Sequence, residues 1–240
     1  MRRTILLCAL PLLAGAAAAP HKVVRDSPAL EFAYVWPAEA AAISKLDLKL
    51  YTEAKRDLAR AQKDARDDQN LSRDDKREFH RHDYAKTWLT VGQSFRLLSL
   101  EGTIETFTGG AHPNHGNVAL LWDRRLGREI AVKDLFLRGE AFAALTRGAF
   151  CKALDAERLK RRGGERLAGS FNDCPKYAEL AIAPVDLNRN GRFDTMRFVA
   201  SPYVAGPYVE GPYEIALPVT SHLIAAIKPQ YRNAFELQRQ

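Results

Sequence analysis

The chain has 240 residues, 46% of them hydrophobic and 27% charged, enough for one large domain or two small ones with a real buried core. Its formal net charge is +7, from 36 basic and 29 acidic residues, which is only mildly basic. Without a dense basic and aromatic stripe, that balance argues against a nucleic-acid partner and suits a place near anionic envelope polymers or lipids.

The first residues set the expected compartment. Arg2 and Arg3 form a short positive region, residues 5–13 an apolar core, and residues 14–19 the small side chains a signal peptidase needs. Residues 1–18 therefore read as a secretory signal peptide, cut after Ala18, because cutting after Ala19 would leave Pro20 first. The apolar run falls short of the roughly 20 residues of a spanning helix. Cys8 lies inside that run, too near the start for lipid attachment. No later stretch is apolar enough to cross a bilayer, so the expected product is periplasmic or secreted, with no transmembrane segment after cleavage.

Residues 19–30 read as a flexible polar leader. Residues 31–36 alternate and are rich in aromatics, as a strand does, and Pro37 stops it. A helix is expected over 37–66, with Leu48, Tyr51, Ala54, Leu58, Ala61 and Ala65 on one face at intervals of three or four. Residues 67–70 read as a break, and residues 72–75 as the cap of a second helix reaching about His82. The two make a charged helical hairpin with a solvated outer face. From Thr87 the pattern turns to period two, with strands over 87–108 and 118–122, a turn at 123–127 and a return at 128–131. Residues 141–160 read as a helix with Phe142, Leu145, Phe150 and Leu154 inward. Residues 177–185 and 192–200 form a hairpin, 213–219 a last strand, and 221–227 a short helix. The expected fold is α+β, an antiparallel β-sheet with flanking helices and that N-terminal hairpin, with 31–107 and 108–240 as subdomains packed as one unit.

Four groups of residues could carry function. In an oxidising compartment the remaining pair, Cys151 and Cys174, is expected to form a disulfide, since no His–Asn or His–Asp company marks either as a nucleophile. Around residues 108–116, Gly109 and Gly110 permit unusual backbone angles, and His112 and His115 are three apart. They could share a metal with His80 and His82, but no carboxylate or cysteine is fixed beside them by spacing. The plainer reading makes His112 a buried, backbone-bonded histidine and puts His80 and His82 on a helix surface. Residues 186–194 match half of a calcium loop, with Asp186, Asn188, Asn190 and Asp194 as candidate ligands. Arg197 stands where an EF-hand needs glutamate, and the flanks read as strands, so the alternative is a plain hairpin turn. Residues 201–215 interleave proline, glycine and tyrosine, making Tyr203, Tyr208 and Tyr213 candidates for a binding rim. Apart from calcium no cofactor is implied. No nucleophile elbow, P-loop, dinucleotide fingerprint or zinc-protease helix occurs, and this absence points away from an enzyme.

These same stretches resemble a known family. The carriers are Thr108-Gly109-Gly110-Ala111-His112, the segment from Gly127 to Phe136 ending Asp134-Leu135-Phe136, residues 203–218, and Phe32-Ala33-Tyr34-Val35-Trp36-Pro37. Together they resemble the extracellular domain family shared by the lysozyme-sensing anti-sigma factor RsiV and the non-catalytic part of the peptidoglycan deacetylase PdaC. Residues 31–107 correspond to the PdaC-like part and 108–240 to the RsiV-like part. The resemblance implies an α+β envelope domain that binds a muramidase or cell-wall glycan. It carries over neither sigma-factor signalling nor deacetylation, because no sigma-binding segment, membrane helix or deacetylase domain accompanies it. The rival reading is a small envelope hydrolase or metal-dependent enzyme using His112 and His115.

Overall fold

A computed structural model describes residues 20–238, so the signal peptide expected over residues 1–18 and Cys8 lie outside the described residues. The fold is α+β, as expected. Strand β1 (His21–Asp26) pairs antiparallel with β2 (Leu30–Trp36). Helices α1 (Ala38–Ala41) and α2 (Ser44–Asp74) come next, then β3 (His82–Gln93), β4 (Leu97–Phe107), β5 (Asn114–Asp123) and β6 (Arg128–Ile130). These six strands form one sheet in the order β1-β2-β3-β4-β5-β6. The β2–β3 pair is parallel, and α2 is its crossover. Helix α3 (Gly139–Arg161) leads to a second sheet, β7 (Leu180–Val185), β8 (Thr195–Ala200) and β9 (Tyr213–Pro218), and the chain closes with α4 (Ser221–Ala226) and α5 (Pro229–Arg232). No helix among the described residues is long and apolar enough to cross a membrane.

The central part of the first sheet is buried on both faces, and its period-two alternation sorts the side chains. Leu98, Leu100, Leu120 and Trp122 join Phe32, Tyr34, Trp36 and the inner face of α2 in one core. Leu97 and Leu121 point the other way, into a core with Phe142, Phe150, Phe198 and the C-terminal helices. Arg197 of β8 bonds Glu101 of β4 at 2.8 Å, tying the two sheets together.

Several expectations need correction. The leader is ordered: its residues 21–26 are β1, and the His21 ring bonds Asp47 of α2 at 2.8 Å. The helical hairpin does not form, because α2 runs unbroken for 31 residues. Residues 67–70 are polar but hold no proline or glycine, and Lys63 pairs with Asp67 one turn on, so nothing there stops a helix. It ends instead where Lys76 takes a left-handed backbone (φ 52°) and Arg77 N–H bonds the Ser72 carbonyl at 2.9 Å. Residues expected in a second helix lead straight into β3, so His82 is a buried strand residue bonded to Asp68. The inner stripe of α2 is Leu46, Leu50, Ala54, Asp57 and Ala65, which leaves Leu48 and Tyr51 exposed. Leu145, read as inward, is exposed as well. The division at 107/108 falls between β4 and β5, neighbours in one sheet.

Candidate functional site

Two loops far apart in sequence meet at one end of the first sheet: residues 108–113, joining β4 to β5, and residues 201–212, joining β8 to β9. Gly109 lets the first loop turn sharply, with φ at +85°. His112 then stacks on Tyr208, with ring centroids 3.8 Å apart and planes 21° from parallel. The Tyr208 hydroxyl donates to the Pro113 carbonyl at 2.7 Å. His112 Nδ1 lies 2.8 Å from the same oxygen and must be the donor there, because a carbonyl only accepts. Its Nε2 lies 3.4 Å from the Tyr203 hydroxyl. Tyr203 and Tyr208 are 5.8 Å apart, and His115 lies 5.9 Å from Tyr208 and 3.7 Å from Glu105.

His112, His115, Tyr203 and Tyr208 therefore form one aromatic rim. His112 is exposed, contrary to the expected buried histidine. Gly109 and Gly110 shape the same loop, Gly109 against His80 and Gly110 in open space. Tyr213 does not join the rim. It is fully buried, and its hydroxyl donates to Glu210.

The second loop is held stiffly by the last turns of α3. Arg158 Nε donates to the Ala205 carbonyl at 2.9 Å, and Arg161 reaches the carbonyls of Glu210 and Pro212. Arg162 grips the Glu210 carboxylate bidentately at 2.9 and 3.0 Å. This bond to Arg162 holds the Glu210 carboxyl below its ordinary range. Tyr203 itself takes a left-handed backbone, φ 71°, which is strained for a bulky residue. From sequence, residues 160–162 read only as a helix end; in space Arg161 and Arg162, with Arg158, anchor the rim.

The calcium-like loop is closed upon itself. The Asp186 carboxylate accepts the N–H groups of Asn190 (3.1 Å) and Gly191 (2.8 Å). Asn188 and Asn190 each accept a backbone N–H two residues on and donate their amides to Glu236. Asp194 is buried and accepts from Leu187 N–H and the Thr195 hydroxyl. These oxygens serve the turn's own donors. Among the described residues no cluster of three or more His, Cys, Asp or Glu is placed to hold a metal. Cys151 and Cys174 are joined as a disulfide, their Cα atoms 5.5 Å apart, binding α3 to the segment before β7.

One polar cluster escaped sequence reasoning. Lys86 of β3 is buried between the Glu53 carboxylate of α2 and the faces of Trp88 (4.8 Å) and Tyr34 (5.4 Å). Trp88 Nε1 donates to Tyr34 Oη, and Tyr34 donates to Glu53, both at 2.9 Å. Tyr84 donates to Asp57 at 3.0 Å. Burial pushes both phenols well above their usual range, so they stay protonated donors. Burial also pushes Glu53 up, but the hydrogen bond and charge of Lys86 outweigh it and hold the carboxyl low. The available signal was the i, i+2, i+4 alternation of Tyr84, Lys86 and Trp88, hidden by starting the strand at Thr87.

No family model matches the sequence, and no curated protein does. Solved structures do match. A DUF3298 family protein from Pseudomonas aeruginosa PAO1 aligns with a TM-score of 0.57 at 17% identity, over 92% of this chain and 98% of that one. A member of the DUF3298 family from Bacteroides fragilis NCTC 9343 aligns with a TM-score of 0.50 at 16% identity, over 83% and 89% of the two chains. The chain thus has the fold of DUF3298 family proteins of known structure.

Proposed function

We propose that this chain is an exported, non-catalytic binding module of the cell envelope, and that its aromatic rim grips a lysozyme-like protein or peptidoglycan. The observation that carries the reading is the rim itself. Tyr203, Tyr208 and His112 present ring faces from two loops already locked to each other, so little ordering remains to oppose binding. Tyrosine and histidine rings of this kind suit both protein interfaces and the apolar faces of sugar rings. The disulfide fits an oxidising compartment, in line with the signal peptide read over residues 1–18. The resemblance to the RsiV and PdaC extracellular domains supplies the ligand class.

The test is retention of the mature chain on immobilised lysozyme and on purified sacculi. Retention on at least one is expected, weakened roughly thirtyfold by Tyr203→Ala with Tyr208→Ala, the size of loss that interface anchors show. Retention on neither support would refute the reading. In this geometry both ring nitrogens of His112 are engaged, Nδ1 by Pro113 of its own loop and Nε2 by Tyr203 of the other, which favours a positioning role over hydrolysis. Cell-wall turnover that requires His112 and His115 would reverse that preference.

A further inference from the structure

The opposite end of the first sheet has a different chemistry. Residues 94–96, joining β3 to β4, and residues 124–127, joining β5 to β6, face α5 and residues 233–234 across a hollow of about 600 Å³. Arg96, Arg124 and Arg125 line it, and among the described residues no carboxylate does. Arg96 is already neutralised. It donates to Asp123 through Nε (3.0 Å) and Nη2 (2.9 Å) and lies over the Tyr231 ring at 4.3 Å. Asp123 also accepts from the Tyr231 hydroxyl and from the N–H groups of Arg125 and Leu126, so it has no capacity for a second cation.

Among the described residues, Arg124 and Arg125 have no counter-charge. Among the described residues Arg124 reaches only a neutral acceptor, the Gln93 side chain, at 3.1 Å, and its buried Nε has no partner there. A buried guanidinium nitrogen without an acceptor is costly, and burial alone lowers the proton affinity of Arg124. The Arg125 side chain makes no hydrogen bond or ion pair among the described residues. Beside them, Phe95 stands fully exposed at 103%.

We propose that this hollow is an anion site that takes a phosphate group, with Arg124 and Arg125 neutralising it and Phe95 meeting any apolar part of the same ligand. Two uncompensated guanidinium groups match the charge of about −2 on a phosphate monoester better than the single charge of a carboxylate. The same chemistry is offered by free phosphate and by a lipid headgroup.

The test has two arms, run on the mature chain. One titrates inorganic phosphate and monitors backbone amide shifts at residues 94–96 and 124–127. The other measures sedimentation with phosphatidylcholine vesicles, with and without phosphatidic acid. Saturable binding is expected in at least one arm, weakened roughly tenfold or more by Arg124→Gln with Arg125→Gln. Should that variant fail to fold, Arg125→Gln alone, at an exposed position, carries the test. Phe95→Ser weakens binding only if the phosphate sits on a lipid, which separates the two sources. Binding in neither arm, or binding that the arginine variants leave unchanged, overturns the proposal.

Discussion

Lys86 is the residue whose environment is least forgiving. Its ammonium is buried, and Glu53 is its carboxylate partner. Lys86→Ala should cost about 3 kcal/mol in a urea melt, because it leaves the Glu53 carboxylate with only the Tyr34 hydroxyl and the part-exposed Lys49 at 3.5 Å, whereas Lys86→Met with Glu53→Leu should cost far less. Gly206 is constrained differently: a Cβ there would collide with the Glu210 carboxylate and approach Tyr213 within 2.9 Å. Gly206→Ala should therefore cost about 1–3 kcal/mol by overpacking and loosen the rim. At this scale the rim was partly legible, since glycine, proline and aromatic residues mark themselves by composition. Its burial pattern was not, because the stacking partner of His112 lies nearly a hundred residues away at Tyr208. Lys86 was not legible either, since only the parallel register that sets Tyr34 against Lys86 places the ammonium over those rings.

Among the elements, α3 does the most to hold the rim. Its last turns bond the backbone and carboxylate of the 201–212 loop, and the disulfide at Cys151 fixes its middle. Reducing that bond should lower stability by about 3 kcal/mol from loop-closure entropy, readable as a shift in urea midpoint with and without dithiothreitol. The Glu210–Arg162 pair predicts an acid response. Because Arg162 depresses the folded Glu210 carboxyl, its contribution is complete at neutral pH and fades as acid protonates it below the usual carboxylate range. Glu210→Gln should cost about 3 kcal/mol at neutral pH and flatten the acid limb of a stability–pH curve. Helix α2 shows why element ends were harder to read than element types. Four polar residues at 67–70 look like a break, yet without glycine or proline they propagate a helix already anchored by its buried stripe. The strands beyond Thr87 were readable because their alternation is strong, while β1, mostly exposed, has no apolar pattern to find.

For the whole molecule, the sharing of a fold with proteins only 16–17% identical fits an architecture set by two cores on either face of one sheet rather than by particular side chains. What composition could not convey was that a single sheet would run across the division expected at 107/108. Strand β5 joins the two candidate binding regions. His112 and His115 stand at its start, Arg124 and Arg125 just past its end, with ten strand residues between Asn114 and Asp123. At about 3.3 Å per residue that is roughly 30 Å of stiff backbone, paired along its length with β4 and at its last three residues with β6 as well. If both regions bind as proposed, the protein is in effect a spacer, with one guest at each pole and no contact shared between them. Occupancy at one pole should leave affinity at the other unchanged, as independent sites at this range behave, and titrating one guest in the presence of the other measures it directly.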